Sequence, residues 1–150
     1  MFASLGKEGL APKKVLREIQ EIVFPYDVSI IKSEKSLSNA LNKLEYVQKE
    51  LIPQMTAEDP HYLLKLIEVK GIAFVTELYL RASLMRKESR GGHFREDYPT
   101  RDANGLSWII IGNKNNEVKL QTKPVPLNQY KHKITRYYSD NFIFGKRFSQ

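Results

Sequence analysis

The chain reads as a mainly α protein: an up-down-up three-helix bundle followed by a small C-terminal β-hairpin and an irregular basic, aromatic tail. Three observations lead there. Apolar residues recur at three- and four-residue spacing over residues 12–23 and 33–52, the mark of an amphipathic helix. A third, longer stretch, roughly 60–89, is apolar on nearly all sides between Leu63 and Leu84. After a Gly-Gly break the period changes to two, as in paired strands.

Ala11-Pro12 opens the first helix, because proline suits a first helical turn. Val15, Leu16, Ile19, Ile22 and Val23 share its apolar face, and Phe24-Pro25 closes it, since the residue before proline is pushed from the α region. The second helix is expected over Ser33–Ile52, with a seam of Leu37, Ala40, Leu41, Leu44, Val47 and Leu51 and a stop at Pro53. Asp59-Pro60 supplies a cap and a first-turn proline for the third, over Pro60–Ser89. A helix that is apolar all round is normally a buried one, so this is expected to be the central helix. Trp108–Gly112 and Glu117–Thr122 are expected to pair across a turn at Asn113–Asn116, and Pro124 and Pro126 end the hairpin. Two strands alone are marginal, so the hairpin must lean on something. The chain divides into a bundle-plus-hairpin domain, 1–126, and a tail, 127–150.

The 150 residues, 41% hydrophobic and 27% charged, are enough for one globular domain. The run of about 18 apolar residues that a membrane span requires is absent, and no signal peptide is readable at the start. A cytoplasmic location is expected. With no cysteine, disulfides and thiolate chemistry are excluded. The net charge of +7 is mostly in the tail, where residues 123–150 hold six basic side chains against one acidic.

The glycines do not form a phosphate cradle, which needs them between a strand and a helix N-terminus. Gly91-Gly92 follows a helix and reads as a stop using left-handed backbone geometry. His61, His93 and His132 are too far apart in sequence to suggest a metal site, and nothing near Ser83 or Ser89 marks a nucleophile.

The densest signal is Arg86–Asp102. Arg86, Arg90 and Arg95 each offer a planar fork of donors to a carboxylate, with Glu88, Glu96, Asp97 and Asp102 as candidates. Placed after the most apolar helix, the cluster reads as a partly buried clasp fixing one chain path or one partner. Its expected members are Arg86, Glu88, Arg90, Gly91, His93, Arg95, Asp97, Arg101 and Asp102. In the tail, Lys131, Lys133, Arg136, Lys146 and Arg147 interleave with six aromatics from Tyr130 to Phe148. That pattern permits a nucleic-acid-binding module as the alternative function; a segment folding back on its own domain is the simpler reading.

The same residues carry a family resemblance. Arg86, Glu88-Ser89-Arg90-Gly91, His93, Arg95, Asp97, Pro99 and Arg101-Asp102, then Trp108 and a hairpin leading to Pro124-Val125, resemble the C-terminal domain of succinate dehydrogenase and fumarate reductase flavoprotein subunits. Gly92 stands where that pattern has alanine, Ala103 where it has a second aspartate, and the basic residues usual after Trp108 are absent. These departures leave the subfamily open, adenylylsulfate reductase and aspartate oxidase included. The resemblance implies a three-helix bundle with a small hairpin, and FAD in the parent enzyme, held by upstream domains. It therefore implies no catalytic or FAD-binding residue in this chain. Its implied role is structural, docking on FAD-binding and capping domains or on another subunit of the same flavoenzyme, with an iron-sulfur protein as one candidate and any membrane association peripheral.

Overall fold

A computed structural model describes residues 6, 8–102, 106–115 and 117–129. Its contacts fall into two compact units, 1–84 and 85–150.

In the first unit, helix α1 (Pro12–Val23) starts on its proline and buries Val15, Ile19 and Ile22. A single helical turn, α2 (Tyr26–Ser29), follows; the Ser29 hydroxyl closes it by donating to the Pro25 carbonyl at 3.0 Å. Helix α3 (Glu34–Tyr46) is started by Ser33 and Ser36. The Ser33 hydroxyl accepts from the Ser36 amide at 3.2 Å, and the Ser36 hydroxyl accepts from the Ser33 amide at 3.0 Å. Two amides that the first helical turn would leave orphaned are thus satisfied.

The second helix does not stay α to Ile52. From Val47 to Leu51 it widens to π geometry, then tightens into a 3-10 turn, Ile52–Gln54. Pro53 accounts for this: it has no amide for the carbonyl of Lys49, and its ring crowds that carbonyl. The Ile52 amide reaches back to Val47 instead, a five-residue step that clears the proline. The expected seam holds, with Leu37, Ala40, Leu44 and Val47 buried and Leu41 and Leu51 packed at the margin.

Beside this end, the N-terminal strand-like segment lies close to residues 54–57. The Leu10 amide donates to Gln54 O at 2.9 Å and the Thr56 amide to Leu10 O at 3.0 Å. Gly9 is required at this approach, because a Cβ there would stand 2.5 Å from Thr56 Cγ2 and 2.6 Å from Gln54 O.

Helix α4 (Pro60–Met85) is capped by the Asp59 carboxylate, which accepts from the Tyr62 amide at 2.9 Å. It ends at Met85, four residues before the expected Ser89, because Glu88 and Ser89 bond to Asp102, Arg95 and Tyr98 instead of continuing the helix. It is also not buried all round. Leu66, Val69, Ala73, Thr76, Leu80 and Ser83 form one buried stripe, whereas Leu64, Ile67, Ile72, Phe74 and Val75 are exposed. Composition could not reveal this, since both faces are apolar. α1, α3 and α4 share one core, and polar ties join α4 to the π segment and to α2: Gln48 Nε2 donates to Glu77 at 2.9 Å, and the Tyr79 hydroxyl donates to Val28 O at 3.3 Å.

In the second unit, Gly91 has the expected left-handed backbone, φ +59°, but it is not a helix stop. Six residues past the helix end, it shapes a tight turn in which Arg90 and His93 exchange backbone bonds of 2.8 and 3.1 Å. Strands β1 (Ser107–Lys114) and β2 (Glu117–Pro124) pair antiparallel, with Ser107 opposite Pro124 and Lys114 opposite Glu117. The turn is tighter than expected: Asn113 and Lys114 stay in the ladder, and Asn115 takes φ 55°, a conformation asparagine tolerates in two-residue hairpins. Trp108, Ile110 and Ile111 remain exposed. Of the tail, Leu127–Gln129 forms a 3-10 turn; the basic aromatic stretch from Tyr130 on lies outside the described residues.

The observed fold is therefore mainly α with a small C-terminal hairpin. Among the described residues, no helix is long and apolar enough to cross a membrane.

Candidate functional site

The Arg86–Asp102 segment is organised by Glu88. Its carboxylate is almost fully buried, at 3% exposure, and four donors converge on it. Arg86 Nη1 reaches Oε1 at 2.6 Å. Arg90 grips it sideways, Nε at 3.1 Å and Nη2 at 2.9 Å from Oε2. The Asp102 amide, from the far end of the segment, donates to Oε2 at 3.1 Å. Arg90 Nη2 returns to the Asp102 carbonyl at 3.1 Å, and Arg86 Nη2 donates to Ser107 O at 3.0 Å, tying the cluster to the base of β1.

Burial pushes the Glu88 carboxyl up, but the bonds from Arg90, the Asp102 amide and Arg86 outweigh it and hold the group below its ordinary value. The carboxylate is thus ionised and engaged throughout the neutral range. A proton donor or acceptor in catalysis would instead need a free lone pair and a value near working pH.

A second cluster surrounds Arg95, whose side chain is fully buried. It holds Asp97 with two parallel bonds of 2.7 Å, Nε to Oδ1 and Nη2 to Oδ2. Its guanidinium also lies 5.0 Å from the Tyr98 ring centre, and the Lys87 ammonium lies 5.9 Å from the same ring. Both are cation–π distances. Ser89 joins the two clusters: its hydroxyl accepts from the Arg95 amide at 2.8 Å and donates to Tyr98 O at 2.8 Å, while its amide donates to Thr100 O at 3.1 Å. Ser89 is spent on backbone groups.

His93 places Nε2 3.3 Å from the Arg86 carbonyl. A carbonyl can only accept, so that nitrogen carries the proton.

Of the expected clasp residues, the structure brings Arg86, Glu88, Arg90 and the backbone of Asp102 into one cluster and Arg95 and Asp97 into another. Gly91 and His93 form the turn between them, and Arg101 lies on the exposed surface. Glu96, named as a possible carboxylate partner, stands exposed. The sequence reading missed Ser89 as a hub, Tyr98 as a platform and the carbonyl of Ser107 as an anchor. The Ser89 and Ser107 contacts use backbone groups, which side-chain patterns do not encode; Tyr98, amid Lys87 and Arg95, was a findable signal.

Among the described residues, no buried side-chain nitrogen or oxygen lacks a partner, and no group of three or more His, Asp or Glu is placed to hold a metal. The guanidinium groups of Arg86, Arg90 and Arg95 are engaged by Glu88 and Asp97 and are not set out to receive an anionic ligand such as a pyrophosphate. These bonds connect Glu88 and Arg90 to the Asp102 backbone, and Ser89 to Arg95, Tyr98 and Thr100.

Residues 17–138 match the family described as the fumarate reductase flavoprotein C-term. A fumarate reductase (CoM/CoB) polypeptide of Methanothermobacter marburgensis is 30% identical over 109 residues, which are 70% of this chain and 20% of that protein. L-aspartate oxidase of Acinetobacter baylyi is 31% identical over 111 residues, 74% of this chain and 19% of that protein. Among solved structures, the Mycobacterium smegmatis Sdh1 complex in the apo form matches with a TM-score of 0.64 at 27% identity, over 82% of this chain and 22% of that chain. The chain thus spans about a fifth of the length of these relatives. The nucleic-acid alternative finds no support among these matches. With its helical core, its hairpin and a match over most of its length, this chain belongs to the fumarate reductase flavoprotein C-terminal family.

Proposed function

We propose that this chain serves as the structural, docking domain of an FAD-dependent oxidoreductase of the succinate dehydrogenase and fumarate reductase type. In this reading FAD and the dicarboxylate site belong to the rest of the parent enzyme. The Arg86–Asp102 clasp fixes one shape that meets the FAD-binding or capping domains, or a neighbouring subunit such as an iron-sulfur protein. The assembly is cytoplasmic, and any membrane association runs through partner subunits.

The observation that carries the reading is the inward use of the charges. Glu88 is buried and receives bonds from Arg86, Arg90 and the Asp102 amide, while Arg95 is spent on Asp97. Such a cluster specifies a chain path, because losing one member strands the others. Family membership and the short span relative to the flavoprotein relatives support the same role.

The test is a visible absorption spectrum of the purified chain after incubation with FAD, together with calorimetric titration with succinate and fumarate. No retained flavin and no heat of binding are expected. Stoichiometric flavin would overturn the reading.

A further inference from the structure

Strand β2 leaves one edge of the hairpin open, and the residues along that edge are complementary to themselves. Among the described residues the sheet has two strands, which is marginal for a hairpin; further strands are what stabilise such a sheet. The Val125 amide donates to Leu106 O at 3.1 Å, and this fixes the alternation along the ladder. The backbone groups of Glu117, Lys119, Gln121 and Lys123 face β1, whereas those of Val118, Leu120 and Thr122 face away from it. The outer edge of β1 differs, because Arg86 Nη2 donates to its Ser107 carbonyl at 3.0 Å.

The side chains of β2 alternate with the same period. Val118, Leu120 and Thr122 stand on the face that carries Ile109 and Ile111, while Glu117, Lys119, Gln121 and Lys123 stand on the other face and are exposed. Antiparallel pairing of β2 with β2 of a second copy, about a two-fold axis at Leu120, sets 118 opposite 122, 119 opposite 121 and 117 opposite 123. Outward backbone groups then meet outward backbone groups. Each Glu117 meets Lys123 of the second copy, with Cβ atoms about 4.5–5.5 Å apart as for directly opposed residues. The present neighbour of Glu117 is Lys119 at 3.6 Å, with side chains 72% and 60% exposed, a pair weak enough to give way.

Other registers fail. An axis at Lys119 opposes that lysine to itself, and an axis at Gln121 opposes Lys119 to Lys123, like charges in direct opposition. An axis at Val118 runs into the turn at Asn115, and one at Thr122 brings Pro124, which has no amide to give, into the ladder. A slip of one residue sets the apolar face of one copy beside the polar face of the other. Lysines on an edge strand ordinarily discourage strand addition; here they leave one register open.

We propose that two copies of this chain join through their β2 strands, antiparallel about Leu120, into a four-stranded sheet with Ile109, Ile111, Val118 and Leu120 of both copies on one face. The inference rests on the hairpin alone and is independent of the docking role. A single strand pair lies at the small end of interface sizes, so the dimer is a concentration-dependent one.

The test is sedimentation equilibrium of the full chain at rising concentration, where the average mass is expected to climb from that of one chain toward that of two. Glu117→Lys and Lys123→Glu each set like charges opposite one another on both sides of the axis and are expected to weaken the dimer about tenfold or more, and the double variant to restore it. Because the chain has no cysteine, one introduced thiol reports the register. Leu120→Cys is expected to form a disulfide-linked dimer under a mild oxidant, since opposed Cα atoms about 5.5 Å apart suit the bond. Val118→Cys is not, because the two introduced thiols would stand four residues apart, about 13 Å along the strand. A chain monomeric at every concentration, a dimer that Glu117→Lys leaves intact or that the double variant fails to restore, or cross-linking of Val118→Cys as readily as of Leu120→Cys would overturn the proposal.

Discussion

Glu88→Ala is the most demanding perturbation of the clasp. The carboxylate is 3% exposed and accepts from Arg86 at 2.6 Å, Arg90 at 2.9 Å and the Asp102 amide at 3.1 Å. Removing one partner of a buried ion pair costs about 3–5 kcal/mol, because the remaining charge is buried without compensation. Here the stranded arginines retain 20% and 31% side-chain exposure and recover some hydration, which places the loss near the lower end, about 3 kcal/mol. For a chain of this size each kcal/mol moves the midpoint by about 2–4 °C, so a fall of about 6–12 °C is expected. Glu88→Gln keeps the shape and one acceptor oxygen but turns an amide toward the guanidinium groups; a loss of about 2 kcal/mol is expected. The assay is thermal unfolding followed by circular dichroism at neutral pH. The control is Glu45→Gln, which breaks a pair whose side chains are 68% and 55% exposed and should leave the midpoint where it was. A Glu88→Ala shift no larger than that of the control would refute the claim that this carboxylate organises the segment.

Further outcomes follow from the same structure. The depressed value of Glu88 means that its contribution is present above the ordinary carboxylate value of 4.5 and is lost as pH falls below it. The stability gap between wild type and Glu88→Gln should therefore narrow on acidification below about 4.5, and denaturant titrations at several pH values would detect a gap that stays constant instead. Gly9→Ala forces a methyl to 2.5 Å from Thr56 Cγ2 and 2.6 Å from Gln54 O, a collision expected to cost about 1–3 kcal/mol in urea unfolding. Ser33→Ala removes the side-chain half of the cap on α3 and should cost about 1 kcal/mol in the same assay.

Much of the fold was legible because it rests on local signals. Pro12, Ser33, Asp59 and Pro60 mark helix starts whose physics is contained within one turn, and the seam Leu37–Ala40–Leu44–Val47 follows from helical spacing alone. The misreadings arose where composition is degenerate or where tertiary bonds compete. α4 is apolar on both sides, so hydrophobicity could not say which side the core takes. Its end at Met85 depends on Glu88 and Ser89 bonding to Asp102, Arg95 and Tyr98, up to fourteen residues ahead in the chain. Gly91 announced a left-handed residue, yet a helix stop and a tight turn demand the same φ. In the clasp, the Arg–carboxylate vocabulary was readable, but the pairing was not: Arg95 takes Asp97 and leaves Glu96 exposed, a choice set by geometry and not by spacing.

The central claim is that the clasp holds structure and does no chemistry, and the direct measurement is steady-state kinetics of the assembled flavoenzyme carrying Glu88→Gln. Turnover and KM for the dicarboxylate at a permissive temperature should stay within about twofold of wild type, while the half-life at elevated temperature shortens. A fall in turnover of about a hundredfold or more with an unchanged half-life, the size expected on losing a general acid or base, would contradict the account.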